Sequence, residues 1–330
     1  MKLKLLLLVG LILNLAYTNA ESVKDFGSNP GNINMSMYIP KDMPANAPLV
    51  VSLHGCLQDA EIYNKVGWQT LADMWKFYLI FPEQRRSNNL YKCWNWFQAE
   101  NTKRGQGESK SIVEIIEKMT ADYSIDKSRI YVEGLSAGAY MVSALLASYP
   151  DVFAGGATSA GGPALCAQTE KHFWDVFSWW YLKQSYSDAK KCMNGIDKSP
   201  KEWGELVHKE GYENFNGPWP TISIWHGADD EAVNKINQQE LIDQWTYLHG
   251  IDKIADKEDN PGKKASIIHK EYHDDSGKPL IESYLIPKMS HGIAVDVDAS
   301  CGETDEYILD AGICAARRIG LFWKLNPAQQ

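Results

Sequence analysis

Residues 131–141 read YVEGLSAGAYM, and one hydroxyl, Ser136, stands there between Gly134 and Gly138 at the end of an apolar run. The pattern before it, Arg129 to Val132, predicts a strand, and the pattern after it, Ala137 to Ser148, predicts a helix. A tight turn between the two forces its central residue into a strained backbone conformation and sets the hydroxyl at the helix N-terminus. Bulky neighbours would clash in such a turn, which accounts for the two glycines. G-L-S-A-G is therefore read as a nucleophile elbow, in which the helix dipole and the N–H of Ala137 face the attacking oxygen. The string alone is weak evidence; its strand and helix flanks carry the reading.

A serine hydroxyl is a poor nucleophile at neutral pH, so it needs a base and a group that orients the base. Behind an elbow of this kind the acid comes next along the chain and the histidine last. The downstream histidines are His172, His208, His226, His249, His269, His273 and His291. His291 lies in PKMSHGIAVD, directly after the last expected sheet strand, in a loop bracketed by Pro287 and Gly292. His269 and His273 fall inside a strand, and His226 precedes the expected acid. That acid should follow the strand TISIW (221–225), where the chain continues HGADDEAV. Asp229 and Asp230 compete, and Asp230 is preferred because its spacing from Gly227 and Val233 lets the turn aim it at the histidine loop. Asp229 is then a solvated turn residue or a helix cap. Asp296 and Asp298 are read as solvated loop carboxylates.

Acyl transfer also needs donors for the developing oxyanion. In LVVSLHGCLQ (49–58), His54 and Gly55 form a turn after the strand Leu49 to Leu53, and the N–H of Cys56 can point at the same spot as that of Ala137. His54 has no partner at metal-ligand spacing, so no metal is expected, and no cofactor is called for.

The same alternation runs along the chain. Further strands are expected at 78–81, 153–158, 265–272 and 281–286, and helices at 62–76, 109–123, 233–248 and 311–323. Such alternation implies an α/β fold with a mostly parallel sheet covered on both faces. With no linker-like tract, residues 21–330 are expected to form one catalytic domain, carrying a tryptophan-rich insertion around 166–219.

The chain has 330 residues, 44% of them hydrophobic and 23% charged, which excludes a disordered chain. MKLKLLLLVGLILNLAYTNA (1–20) has the layout of a secretory signal peptide, with two lysines, a short apolar core and a small residue at the cleavage point. The six cysteines, Cys56, Cys93, Cys166, Cys192, Cys301 and Cys314, are then expected to form three disulfides. Proximity along the chain favours Cys166 with Cys192 and Cys301 with Cys314, leaving Cys56 with Cys93. Loss of Lys2 and Lys4 with the leader takes the formal charge from −9 to −11. So acidic a chain, without a basic run, is not suited to nucleic acid or to an anionic membrane. Nothing in the pattern fixes an oligomeric state.

LVVSLHGCLQ, GWQTLADMWKFYLIFPEQ, CWNWF, RGQGES, GLSAG, YPDVFAGGA, SIWHGADDEAV, MSHGIAVD and DAGICAARRIGLFW stand in order over nearly all of the chain beyond residue 20. Together they resemble the extracellular polyhydroxybutyrate (PHB) depolymerase family, secreted esterases of the α/β-hydrolase fold. The resemblance implies Ser136 as nucleophile, Asp230 and His291 completing a triad, and Cys56 supplying the second oxyanion N–H. It also implies an ester or polyester substrate, with short-chain polyhydroxyalkanoate foremost. The family includes feruloyl- and acetylxylan-type esterases, so membership alone does not fix the substrate. A linker and a separate polymer-binding domain, present in multi-domain members, are not expected here. A secreted binder without catalysis is the reading from another class, but it has no need of Ser136, Asp230 and His291 together.

The chain contains 12 tryptophans, several of them clustered. Trp94 in CWNWF, the pair Trp179 and Trp180, and Trp219 are candidate substrate contacts: exposed, they would make an apolar platform for a polyester or a sugar ring; buried, they are core. The alternation in CWNWF leaves both readings of Trp94 open, and the insertion pair is preferred.

Overall fold

The apolar runs that alternate with amphipathic ones along the chain come to lie side by side. The structure is a computed structural model that describes residues 20–170, 179–213, 215–262 and 266–329. The expected leader, apart from Ala20, lies outside the described residues, as do His172 and the first residue of the strand expected at 265–272. In chain order the elements are β1 (Glu21–Ser22), β2 (Asn34–Tyr38), β3 (Ala47–Leu53), α1 (Ala60–Asn64), α2 (Trp68–Trp75), β4 (Tyr78–Glu83), α3 (Ala99–Thr102), α4 (Gly107–Asp122), β5 (Ile125–Leu135) and α5 (Ala137–Ser148). There follow β6 (Gly155–Ser159), α6 (Trp179–Met193), α7 (Pro200–Glu210), β7 (Thr221–Gly227), α8 (Ile236–His249), β8 (Lys257–Asp259), β9 (Ile268–His273), β10 (Pro279–Ile286), β11 (Ile293–Val295), β12 (Ile308–Asp310) and α9 (Ala315–Phe322).

Ten strands form one sheet in the order β1-β2-β4-β3-β5-β6-β7-β10-β9-β8. The six from β4 to β10 are mutually parallel, and antiparallel strands flank them on both sides. Parallel strands are covered on both faces, and β3 (APLVVSL) is accordingly buried at every position. One face packs against α4, α5, α7 and α8 through residues such as Ile115, Leu145, Val207 and Trp245. The other packs against α1, α2 and α9 through Tyr63, Trp68, Ile319 and Trp323. All twelve residues of α5 are buried, as befits a helix at the centre of the molecule.

Register places the functional end. Leu53 pairs with Gly134, Leu135 with Ser159, Ser159 with Trp225, and Gly227 with Ile286. Five strands thus finish at one edge, where open α/β sheets hold their sites.

Two expectations are corrected by local geometry. The helix expected at 62–76 is split into α1 and α2, because Gly67 adopts φ 102°, a left-handed conformation that breaks the helix. A Cβ there would approach Gly302 N to 3.0 Å. The closing helix starts at Ala315 and not at 311, since Cys314 is its N-cap and Gly312 has φ 66°. The far edge, β8, is short, exposed and charged, with Lys257 paired to Glu271 at 2.7 Å and Lys270 paired to Glu258 at 3.5 Å.

Candidate active site

Ser136 sits between the end of β5 and the start of α5 with φ 55° and ψ −118°, a conformation that L-residues rarely adopt. Its N–H donates to Ser159 O at 2.9 Å, which holds the turn against the next strand. The glycines are dictated by close approach. A Cβ on Gly134 would stand 2.7 Å from the Gly138 carbonyl carbon, and one on Gly138 would stand 2.7 Å from His54 O. Only because Gly138 lacks a side chain can α5 seat against the end of β3, where the chain turns into His54–Gln58.

The loop after β10 carries His291 to the serine. Its Nε2 is 2.9 Å from Ser136 Oγ, and its Nδ1 is 2.8 Å from Asp230 Oδ2. The acid and histidine loops are knitted together: Ala228 N–H donates to Ile286 O at 2.9 Å and Asp229 N–H to Met289 O at 3.0 Å. Gly227 permits this approach, since a Cβ there would lie 2.6 Å from Ser290 O. The aspartate side chain that faces His291 is that of Asp230; Asp229 is exposed. The other oxygen of Asp230, Oδ1, accepts from the N–H groups of Ala232 and Val233 at 2.9 and 2.8 Å. Burial pushes this carboxyl up, but the hydrogen bond and charge of His291 and the Val233 N–H more than offset it, so it lies below the usual carboxylate range. It is the ionised form that can orient an imidazole.

A second histidine, set aside in the sequence because it precedes the acid, stands beside Asp230 in the structure. His226 is buried, its Nε2 lies 2.9 Å from Val233 O and 3.5 Å from Asp230 Oδ2, and burial lowers its pKa. It packs beside the carboxylate as a neutral wall. The only hint in the sequence was its four-residue spacing from Asp230.

The loop after β3, which bears Cys56, starts against α5 at Gly138. The N–H groups of Cys56 and Ala137 have no protein acceptor among the described residues, whereas both neighbours of Cys56 do. Gly55 N–H donates to Gln58 Oε1 at 2.9 Å, and Leu57 N–H to Tyr91 O at 2.7 Å. His54 is buried, its Nε2 accepts from Gln84 N–H at 3.0 Å, and its Nδ1–H donates to Gly55 O at 2.7 Å. It is a structural part of this turn. The disulfides are Cys56–Cys93, Cys166–Cys192 and Cys301–Cys314. The first ties the loop to residues 89–95, and the second ties the start of the insertion to the end of α6. Among the described residues no three His, Cys, Asp or Glu side chains are grouped as metal ligands.

The aromatic candidates are redistributed. Trp94 is fully buried and donates its Nε1–H to His54 O at 3.1 Å, so it supports the loop and cannot meet substrate. Trp96 is buried too, stacked at 3.9 Å on Tyr140 of α5. Trp219 lies two residues before β7, at the opposite end of the strand from Asp230 and roughly 20 Å away at the usual rise per residue. There it packs edge-on against Phe215 and Trp245. Its place at the start of β7 removes it from the candidate site. Trp179 and Trp180 open α6, and their side chains lie outside the described residues. The exposed apolar side chains beside the catalytic loop are instead Leu57, Leu90 and Tyr91, at 43%, 66% and 54% exposure. Leu57 follows Cys56 directly with φ 67°, so the turn that presents the N–H also holds a leucine out to solvent.

Comparison with known proteins gives the family and the fold. The Esterase PHB depolymerase family matches residues 33–170. Poly(3-hydroxyalkanoate) depolymerase C of Paucimonas lemoignei is 46% identical over 305 residues, covering 91% of this chain and 69% of that protein. Feruloyl esterase B of Talaromyces stipitatus is 30% identical over 258 residues, covering 78% of this chain and 68% of that protein. Among solved structures, an acetyl xylan esterase from Aspergillus awamori superposes with a TM-score of 0.75 at 22% identity, over 93% of this chain and 99% of that one, which shows the shared α/β-hydrolase fold. From the fold, the arranged loops and these relatives, the chain is a carboxylic ester hydrolase and belongs to the PHB depolymerase family of esterases.

Proposed function

We propose that the protein is a secreted serine esterase that hydrolyses short-chain polyhydroxyalkanoate, such as poly-3-hydroxybutyrate or its oligomers, through an acyl-enzyme formed on Ser136. What supports this reading is the line Ser136–His291–Asp230, together with the N–H groups of Ala137 and Cys56, which have no protein acceptor among the described residues. Ser136 Oγ attacks the ester carbonyl carbon as His291 Nε2 takes its proton, and Asp230 holds the imidazole and stabilises the cation that forms. The carbonyl oxygen, now negative, accepts from Cys56 and Ala137 N–H; a preorganised donor of this kind contributes about 3 kcal/mol. The C–O bond then breaks, and the leaving alkoxide takes the proton back from His291. Water repeats the sequence on the acyl-enzyme, giving its proton to His291, and releases the acid with Ser136 restored.

The polyester reading draws on two further facts. One relative is named a poly(3-hydroxyalkanoate) depolymerase, and the rim beside the oxyanion loop is apolar where a sugar would call for hydrogen-bonding groups. Three disulfides, and the lack of any described helix long and apolar enough to cross a membrane, fit export. A carbohydrate-ester reading keeps one support, the names of the feruloyl and acetylxylan relatives. Turnover on amorphous PHB granules, methyl ferulate and acetylated xylan separates the two. The expected order places PHB first, and hydrolysis confined to the plant-wall esters would overturn the polyester assignment. The double variant Leu57→Ser, Tyr91→Ser should lose about tenfold on granules while keeping its rate on a soluble short-chain ester, since apolar contact area is what it removes.

A further inference from the structure

Behind the oxyanion loop lies a buried carboxylate that the reaction above does not use. Glu108, in the first turn of α4, is 1% exposed, and no lysine or arginine among the described residues pairs with it. It is held by donors alone. Gln84 Nε2–H reaches Oε1 at 2.5 Å, Asn95 Nδ2–H reaches the same oxygen at 2.6 Å, and Asn95 N–H reaches Oε2 at 2.8 Å.

The amides that donate cannot turn round. Gln84 Oε1 already accepts from Arg85 N–H at 2.9 Å and from Asn88 Nδ2–H at 2.7 Å. Asn95 Oδ1 accepts from Asn89 Nδ2–H at 3.0 Å, and Asn89 Oδ1 accepts in turn from Tyr91 N–H at 3.0 Å. Flipping either amide would set acceptor against acceptor and donor against donor in a buried site, where unmet polar groups are costly. The site at 108 therefore calls for a group that only accepts, which among side chains of this length is an ionised carboxylate.

Both segments that Glu108 holds are fastened to the loop bearing Cys56. Gln84 N–H donates to His54 Nε2, and His54 Nδ1–H donates to Gly55 O. On the other side, Trp94, next to Asn95, donates to His54 O, and Cys93 is bonded to Cys56. Three ties, one of them covalent, run to residues 54–56: one from Gln84 itself and two from Trp94 and Cys93, the residues just before Asn95.

We propose that Glu108 is a positioning residue for ester hydrolysis, its acceptor-only carboxylate holding, through Gln84 and Asn95, the segments that aim the Cys56 N–H at the oxyanion. This rests on the serine-esterase reading. The charge state of Glu108 then bears on the rate. Burial raises its carboxyl to about 7 against the pull of its three donors, with the charge of Glu100 in α3 adding to the rise. Around the neighbouring His54, itself kept low by burial, stand Glu83, Lys92 and Asp59. Protonation of Glu108 would set an O–H among N–H donors and slacken the grip on both segments.

The test compares the parent, Glu108→Gln, the exchange variant Gln84→Glu with Glu108→Gln, and Ser136→Ala on a soluble nitrophenyl ester, well below each Tm. Glu108→Gln sets a donor among donors and should lower kcat about tenfold or more with KM within about twofold, since the interaction lost is made in the transition state. The exchange variant puts the acceptor-only group at 84 and restores every contact except that of Asn95 Nδ2, so it should regain most of the lost kcat. Parental kcat in Glu108→Gln, even with a lowered Tm, would reduce Glu108 to a structural part and overturn the proposal. Parental turnover in Ser136→Ala would sink the serine reading itself, a different failure. Should Glu108→Gln not fold, hydrogen exchange on the parent decides. After correction for intrinsic rates, the Gly55 and Leu57 amides should lose protection between about pH 8 and about pH 6 while the α5 amides keep theirs. Unchanged protection at Gly55 and Leu57 would equally overturn it.

Discussion

Ser136 holds a backbone conformation that disfavours any side chain, and the two glycines beside it exist to make that conformation reachable. Replacing Ser136 with alanine leaves turn and packing alone, so the variant should fold with the parental Tm and show no ester hydrolysis. Asp230→Asn should lose about 10⁴ in kcat, because a neutral amide neither stabilises the imidazolium nor enforces its tautomer. Asp229→Asn, at an exposed position, should stay within about threefold by the same reasoning. Measuring kcat/KM of the pair on one soluble ester checks both, and the reverse ranking would reassign the acid. At this scale the sequence was legible where chemistry constrains spacing: elbow, acid loop and histidine loop follow a chain order with few candidates. Exposure was not legible. Trp94 carries an indole N–H that needs a buried carbonyl, and nothing in CWNWF distinguishes a ring packed on His54 O from a ring facing solvent.

Among the elements, the loop after β3 depends on its neighbours more than on itself. It holds Leu57 in a left-handed conformation and is tied across 37 residues by Cys56–Cys93. Oxyanion donors act only when held within a few tenths of an ångström of the developing charge. The double variant Cys56→Ser, Cys93→Ser, kept folded by the other two bridges, should therefore lose mainly kcat with a smaller change in KM. If the bridge serves global stability only, Tm falls by the equivalent of about 2–4 kcal/mol while kcat stays put. The strands and α5 were readable because buried parallel strands and a central helix are apolar throughout. The helix 62–76 was misread because Gly67 looks like any helical glycine until Gly302 is seen against it. In the insertion, α7 was not expected from the sequence, although Ser199 and Glu202 cap each other around Pro200 in the structure. Antiparallel β1 and β2 are short, the first exposed and the second only partly buried, and so left no periodic trace.

Across the whole molecule, buried ionisable groups set how stability responds to pH. Glu133 of β5, enclosed with Ser52 Oγ and Tyr63 OH as partners, is raised by burial from 4.5 to about 8. Between those values the folded chain keeps a proton that the unfolded chain has released. Its contribution is therefore complete below about pH 4.5 and is lost as pH climbs through about 8. Glu133→Gln stays neutral throughout, and hydroxyl partners can turn to meet an amide. Its Tm relative to the parent should rise steadily from about pH 5 to about pH 8.5, as thermal unfolding at several pH values would show. A constant offset would mean that the carboxyl titrates alike in both states. The fold order itself was readable from alternation, but the two edges were not, and the outer one has a consequence for work at a surface. On the polyester function proposed above, the enzyme would accumulate on its substrate far above its concentration in solution, and open strand edges are where crowded sheets join. Strand β8 offers only three residues there, all exposed and all charged. A neighbour pairing with it would have to desolvate Lys257, Glu258 and Asp259, so molecules packed side by side on the polymer can remain separate and mobile instead of fusing into a static film.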